Sequence, residues 1–201
     1  MRRTMMVAGI VSVGLAVAGV ARADGADDDK KITVGGDVQL VIPFSDMANA
    51  TGPQIGALVR GGYRVIPPLE ITGRIGYLAG LSKSQGTIEG VPYSTSISNV
   101  PIWLGARYFF MNAPAGLYGA AEIAVNIMTA NASAGGSSHG TGITREGFNL
   151  GAGYVVSKEL PIDVRLQLSD FNLLGTSSGE KALLGIGLSA GYSFFFGLLS
   201  V

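Results

Sequence analysis

The stretch from Val100 to Phe110, VPIWLGARYFF, decides the fold because two patterns are interleaved in it. Ile102, Leu104, Ala106, Tyr108 and Phe110 form an apolar set at every second position. The positions between them hold Trp103, Gly105, Arg107 and Phe109. A period of two is typical of a β-strand whose faces meet different surroundings. Arg107 therefore belongs to one face of a strand, and its charge indicates what lies on that side.

The same alternation recurs along most of the chain and predicts about eight strands. Tilted strands of about 9–11 residues are long enough to cross a bilayer, and the segments are of this order. The alternating segments are 32–42, 55–65, 69–77, 102–110, 117–127, 148–156, 162–168 and 184–194. Of the eight prolines, only Pro101 touches a strand, near its predicted beginning.

Connection lengths between these strands also alternate. The long ones read PFSDMANATGP, LSKSQGTIEGVPYSTS, TANASAGGSSHGTG and FNLLGTSSGEK, and the short ones read IPP, MNAPAG and SKELP. Long and short connections at opposite ends are typical of an up-and-down membrane barrel, with short turns in the periplasm and long loops outside. The sequence therefore predicts an all-β, eight-stranded antiparallel transmembrane barrel.

Charged residues lie on only one face of the predicted strands. This distinguishes a membrane barrel from a soluble lipocalin-type barrel, whose strands alternate with the apolar face inside. A soluble outer surface would carry far more lysine and glutamate. In a bilayer, a lipid-facing charge costs about 2–4 kcal/mol near the midplane, so both signs turn inward. The predicted barrel-interior charge network is Asp37, Arg60, Arg64, Glu70, Arg74, Arg107, Glu122, Asp163 and Arg165.

Within this network we expect Arg107 to pair with Glu122 across the hairpin, and Glu70 and Asp163 to pair with the remaining arginines. Eight-stranded lumens are generally filled by side chains, which favours a salt-bridged plug. A narrow path for ions or small solutes is the alternative.

Aromatic residues on the apolar faces fall where the predicted strands approach a rim, as in interfacial girdles. They are Tyr63, Tyr77, Tyr108, Phe110, Tyr154, Tyr192 and Phe194. Ordinary enrichment of aromatics in strands is the other interpretation.

The N-terminus predicts export. Arg2 and Arg3 precede an apolar run over 5–20, and residues 21–23 (Ala-Arg-Ala) match a signal-peptidase site. A short membrane anchor is the alternative, although about 20 residues are needed to span. Cleavage after Ala23 leaves 11 basic and 14 acidic residues, a formal charge of −3. We predict a signal peptide over 1–23, a flexible periplasmic segment over 24–31 and a barrel domain over 32–201.

Catalytic chemistry has little support. The only histidine, His139, lies in a Gly/Ser-rich segment beside Ser137 and Ser138, where a mobile loop would hold a hydrolytic triad poorly. The chain has no cysteine and one histidine, which makes a zinc site a weak candidate. We therefore expect no enzyme activity, no metal and no cofactor. The formal net charge of zero gives no argument for nucleic acid.

The chain resembles the small outer-membrane β-barrel family of Gram-negative bacteria, the OmpA/OmpX/OmpW-like group. The leader, the eight strands and the pair PIWLGARYFF and GLYGAAEIAV (residues 101–110 and 116–125) carry the resemblance. Such barrels often end on an aromatic residue read by the assembly machinery, whereas here GYSFFF is followed by GLLSV.

The resemblance implies a monomer in the cell outer membrane, surrounded by its lipids and inserted by the barrel-assembly machinery. We expect a structural or surface-interaction role through four long extracellular loops, which could hold an extracellular ligand. A narrow porin-like channel or a carrier for small molecules, hydrophobic ones among them, is the alternative, and a membrane-embedded lipid hydrolase is a minor one.

Overall fold

A computed structural model describes residues 30–111, 114–172 and 182–197. The secondary structure of these residues consists of nine strands and one short helix. They are β1 (Lys30–Ser45), α1 (Asp46–Ala50), β2 (Gln54–Ile66), β3 (Leu69–Gly80), β4 (Lys83–Ile88), β5 (Val91–Phe109), β6 (Gly116–Ala134), β7 (Ser137–Val155), β8 (Ile162–Asp170) and β9 (Leu183–Gly197). Within the described residues, no helix is long and apolar enough to cross a membrane.

Eight of the strands close into a ring. The order is β1-β2-β3-β5-β6-β7-β8-β9, every neighbouring pair is antiparallel, and β9 pairs back to β1. β4 is a ninth strand that pairs with β5 outside the ring. The predicted eight-stranded antiparallel barrel is thus confirmed. We call the end with the α1, β4 and β6–β7 connections the long-connection end, and the opposite end the short-turn end.

Two predicted loops are strands instead. The segment after β3 forms the β4–β5 hairpin, and the Gly/Ser-rich segment continues β6 and β7 up to a turn at Gly135 and Gly136, which have positive φ values of 55° and 83°. Cross-strand pairing satisfies the backbone there whatever the side-chain polarity. Because β5 begins at Val91, Pro101 lies in mid-strand rather than near its start. The β3–β5 register skips the residues opposite it, as expected for a residue without an N–H.

The two faces of the wall separate as the alternation predicts. Leu104 is 55% exposed and Trp103 is 1% exposed, although they are adjacent in β5. Of the predicted girdle, most rings are exposed, and the Tyr108–Phe110 and Tyr192–Phe194 pairs are in edge contact at 5.7 and 5.0 Å. The predicted leader (1–23) lies outside the described residues, as does most of the segment 24–31, whose last two residues belong to β1.

Apolar layers cap the interior at both ends. At the short-turn end the layer is Phe109, Tyr118, Ala120 and Val155. At the long-connection end it is Val41, Met47, Leu58, Leu78, Trp103, Ala124, Met128 and Phe171. Met47 comes from α1, so this helix folds over the barrel mouth and contributes a fully buried side chain to the layer beneath it. The charged residues lie between the two layers.

Candidate functional site

The charged residues in the lumen form one continuous chain of ion pairs in which acids and arginines alternate. All eight members are buried, and seven salt bridges join them end to end. We call this the ion-pair chain. Its order is Glu70, Arg107, Asp163, Arg60, Asp37, Arg74, Glu122 and Arg165.

The first half of the chain runs toward the short-turn end. Glu70 faces Arg107 directly in the β3–β5 register, and its Oε2 lies 3.0 Å from Nη2 of Arg107. Nη1 of Arg107 lies 3.1 Å from Oδ2 of Asp163, and Nη1 of Arg60 lies 2.7 Å from the same oxygen. Asp163 is therefore shared by two guanidinium groups that come from different strands.

The second half continues from Arg60 across the lumen. Arg60 Nη1 is 3.2 Å from Oδ1 of Asp37, whose Oδ2 is 3.3 Å from Nη2 of Arg74. Arg74 Nη1 is 3.6 Å from Oε2 of Glu122, and Oε1 of Glu122 is 2.7 Å from Nη1 of Arg165. The chain thus connects residues of β1, β2, β3, β5, β6 and β8.

Neutral side chains add further hydrogen bonds to the ion-pair chain. Tyr118 donates to Oδ1 of Asp163 at 2.6 Å, and Asn149 of β7 donates to Oε2 of Glu122 at 3.3 Å. Arg74 donates to Gln167 at 3.0 Å and to Gln39 at 3.1 Å, and Arg60 donates to Ser193 of β9. With Asn149 and Ser193, every strand of the ring contributes a polar group to this layer.

The balance of charge explains how the chain tolerates burial. Four arginines meet four carboxylates, so the formal charges of the chain sum to zero. Burying an unpaired charge is very costly, and attraction repays that cost only when geometry and hydrogen bonding are good. Each inner member has opposite charges on both sides. The rings of Trp103, Phe109 and Tyr118 also lie 4.9–5.4 Å from guanidinium carbons of Arg74 and Arg107.

Eight of the nine residues in the predicted interior network belong to this chain. The ninth, Arg64, is half-buried near the short-turn end and faces Glu70 in the β2–β3 register. The predicted pairing of Arg107 with Glu122 is wrong. Glu122 pairs in register with Gly105, which displaces it from Arg107, and Arg107 meets Glu70 and Asp163 instead. Asp163 does pair with another arginine, Arg60, as expected.

The neutral partners were not predicted as site residues. These partners occupy the same alternate strand positions as the charged residues; they are Gln39, Gln167, Asn149 and Ser193. The period-two pattern therefore indicates that they face the lumen. The pattern does not indicate which residues on other strands these side chains contact across the lumen. Several buried polar atoms have no hydrogen-bond partner among the described protein groups. In neutral side chains they are Gln39 Nε2, Gln54 Oε1, Thr72 Oγ1, Asn99 Oδ1 and Asn126 Nδ2, and in the ion-pair chain they are Nε of Arg60, Arg74, Arg107 and Arg165 and Nη2 of Arg165.

A cavity of about 480 Å³ opens above the apolar layer at the long-connection end. We call it the vestibule. It is bounded by α1 and by the parts of β4, β5, β6 and β7 that extend beyond the ring. Its lining is Asn49, Ala50, Gln85, Tyr93, Thr95, Ser96, Ile97, Ala130, Asn131, Ala132, His139 and Thr141.

The candidate hydrolytic residues lie in β7 rather than in a mobile loop, which corrects the expectation for this segment. His139 faces Ala132 in the β6–β7 register, and Ser138 faces Ser133. No carboxylate is among the described residues that line the vestibule. The described part of the chain also has no group of three or more His, Cys, Asp or Glu residues that could hold a metal ion.

Comparison with known proteins places this architecture in a family. The sequence model of one protein family, the outer membrane protein beta-barrel domain, matches residues 10–194. The structure is similar to the N-terminal β-barrel domain of Pseudomonas aeruginosa OprF, at 14% identity and a TM-score of 0.52, covering 81% of this chain and 97% of that one.

Two further solved structures are similar to this chain at comparable identity. Ail, the attachment invasion locus protein of Yersinia pestis, is 14% identical over 82% of this chain and 97% of its own, with a TM-score of 0.49. Neisserial surface protein A is 15% identical over 86% of this chain and 100% of its own, with a TM-score of 0.46. A comparison with curated protein sequences finds no match. With most of its length matched by the family model, the chain belongs to the outer-membrane β-barrel domain family and is an outer-membrane protein.

Proposed function

We propose that this protein is a non-enzymatic barrel with a closed lumen and a structural or surface-interaction role. The observation that carries the proposal is the ion-pair chain, which crosses the lumen between two apolar layers. A small solute moving through the barrel would have to displace paired charges that are buried on all sides. That displacement would leave buried charges unpaired, which is strongly unfavourable.

The long-connection end supports the surface-interaction part of the proposal. β5, β6 and β7 each have 19 residues, well beyond the about 9–11 that cross a bilayer. Their outer halves therefore extend past the membrane as a continuous sheet, and the topology rule for such barrels places this end outside the cell. Exposed apolar residues around the ring, such as Leu104 and Ile123, are suited to contact with outer-membrane lipids. We expect a monomer, inserted by the barrel-assembly machinery.

Planar-bilayer recording tests the closed lumen. We expect no steady single-channel steps from the wild-type protein. The double variant Arg74→Ala/Glu122→Ala removes one arginine and one acid, so it keeps the formal charge balance while opening space in mid-lumen, and we expect it to conduct. The matched control is Lys158→Ala/Glu159→Ala in the β7–β8 turn, which makes the same change in charge outside the lumen. Steady steps from the wild-type protein would contradict the proposal.

A narrow channel or carrier is the second candidate. It is favoured by the buried polar atoms of Thr72, Asn99 and Asn126 that lack protein partners, because such atoms in polar interiors usually bind water. A file of water past the ion-pair chain would give a small conductance. The same recordings distinguish it from the closed barrel.

We propose no catalytic role for His139. The absence of a carboxylate from the described lining of its cavity supports this, since a triad needs an acid to orient the imidazole. Turnover of a lipid substrate by the wild-type protein that is lost in His139→Ala would contradict it.

A further inference from the structure

We propose that the vestibule is a binding site for a neutral saccharide presented from outside the cell. The inference rests on the proposed surface-interaction role and names its ligand class and its site. The cavity volume of about 480 Å³ lies within the range of about 300–1,000 Å³ that is usual for small-molecule sites. It lies above the apolar layer of the long-connection end, which forms the bottom of the cup.

The register of three strands builds the cup. On β6, Ala130 and Ala132 form a floor of small side chains. Thr95 and Ile97 of β5 stand on one side of them, directly across the ladder. His139 and Thr141 of β7 stand on the other side, at the same two levels. Short side chains between longer ones leave a trough along β6, in which a flat ring can lie.

Polar contacts between α1 and the strands hold the rim of the cup. Gln85 Nε2 donates to the carbonyl oxygen of Asn49 at 2.7 Å and to Thr95 Oγ1 at 2.8 Å. Thr95 Oγ1 donates to the carbonyl oxygen of Ala50 at 2.7 Å, and Lys83 Nζ donates to that of Ala48. The last carbonyls of α1, which have no partner within so short a helix, are thereby satisfied. A rim fixed in this way is preorganised for a ligand.

The chemistry of the lining selects the ligand class. Among the described lining residues there is no Asp, Glu, Lys or Arg, in contrast to the ion-pair chain below. A charged ligand would therefore find no opposite formal charge in the lining, and the one charged rim group described above, Lys83, already donates to the carbonyl oxygen of Ala48. A purely apolar ligand would cover the Thr141 hydroxyl and the His139 imidazole without offering either a hydrogen-bond partner, which is unfavourable. Amides and hydroxyls that both donate and accept match sugar hydroxyls, and the half-buried ring of Tyr93 offers a flat apolar surface for a sugar face.

Binding to a panel of saccharides tests the proposal, with the full chain in nanodiscs and binding followed by saturation-transfer NMR. One arm uses soluble neutral and acidic saccharides, and the other uses glycolipids placed in the same nanodisc, because a sugar could come from solution or from a membrane lipid. We expect specific binding of neutral saccharides in at least one arm. Binding of acidic saccharides alone, or of none, would overturn the proposal.

Two variants localise the site. Ala132→Leu fills the floor of the trough, and Thr141→Val removes one hydroxyl at nearly constant volume. We expect Ala132→Leu to weaken binding at least about tenfold, the equivalent of about 1.4 kcal/mol, and Thr141→Val to weaken it measurably. The control is Thr129→Leu, on the same strand but on its other face. Unchanged affinity in both lining variants would overturn the assignment of the site.

The test of saccharide binding and the test of the closed lumen give results that can be distinguished. A protein that remains silent in planar bilayers but binds no neutral saccharide leaves the closed barrel intact and removes the saccharide inference alone. A conducting wild-type protein removes the closed lumen, whatever the saccharide panel shows.

Discussion

Arg60 and Asp163 are paired across the lumen rather than along the wall. Nη1 of Arg60 lies 2.7 Å from Oδ2 of Asp163, although β2 and β8 are separated in the ring by β1 and β9. The same oxygen lies 3.1 Å from Arg107, and Tyr118 donates to the other oxygen at 2.6 Å. Asp163 is thus the point at which three distant segments of the chain meet.

Asp163→Asn should be strongly destabilising. The change keeps the shape of the side chain but leaves two buried guanidinium groups short of a shared counter-charge, and breaking a buried ion pair costs about 3–5 kcal/mol. Urea-induced unfolding in lipid vesicles, followed by the heat-modifiable shift on a gel, measures the loss. Glu159→Gln removes a carboxylate from an exposed turn and should leave the unfolding midpoint unchanged. Equal midpoints for the two variants would show that the ion-pair chain contributes little.

Gly153→Ala should disturb the short-turn end of the lumen. Gly153 pairs with Tyr118, and a Cβ added there would lie 2.4 Å from the Tyr118 hydroxyl oxygen, so the ring would have to move away from Asp163. Overpacking of this kind costs about 1–3 kcal/mol. Gly61→Ala is the matched control, because an added Cβ there meets nothing within 4 Å. The same unfolding assay applies, and a loss in Gly61→Ala as large as in Gly153→Ala would contradict the steric explanation.

Met47→Asp should release α1 without unfolding the barrel. The Met47 side chain is fully buried in the apolar layer, and a carboxylate there would be desolvated without a partner. We expect hydrogen exchange and protease cleavage to increase over Asp46–Ala50 while the heat-modifiable shift persists. Asn49→Asp adds the same charge at an exposed position of the same helix and should leave protection as it is. Wild-type protection in Met47→Asp would show that the buried contact does not hold the helix.

Fluorescence quenching should distinguish the two faces of β5. Trp103 is the only tryptophan and is buried inside the barrel, whereas Ile102 is exposed on the outer face. Brominated lipids should quench Trp103 weakly. In the variant Trp103→Phe/Ile102→Trp, the same lipids should quench strongly. Strong quenching in the wild-type protein would contradict the placement of Trp103 on the inner face of the barrel wall.

The period-two pattern was sufficient to predict the ring because each face of a membrane barrel meets a single kind of surroundings. Leu104 and Arg107 could be placed outside and inside because lipid excludes charge, and this constraint acts on each residue separately. The extensions of β6 and β7 were not predicted, because polar and glycine-rich segments form strands or loops with similar local preferences. Pairing with a neighbouring strand decides between the two.

The pairing of charges needed the closed barrel. Arg107 and Glu122 lie on adjacent strands and were expected to meet, but the register sets Glu122 against Gly105. Arg60 and Asp163 are more than a hundred residues apart and meet because curvature brings opposite walls within the reach of an arginine side chain. The sequence by itself thus determined the alternation, the membrane environment and which residues face inward. Only the tertiary structure decided the partners, because ring closure and register set distances across the lumen that no local pattern encodes.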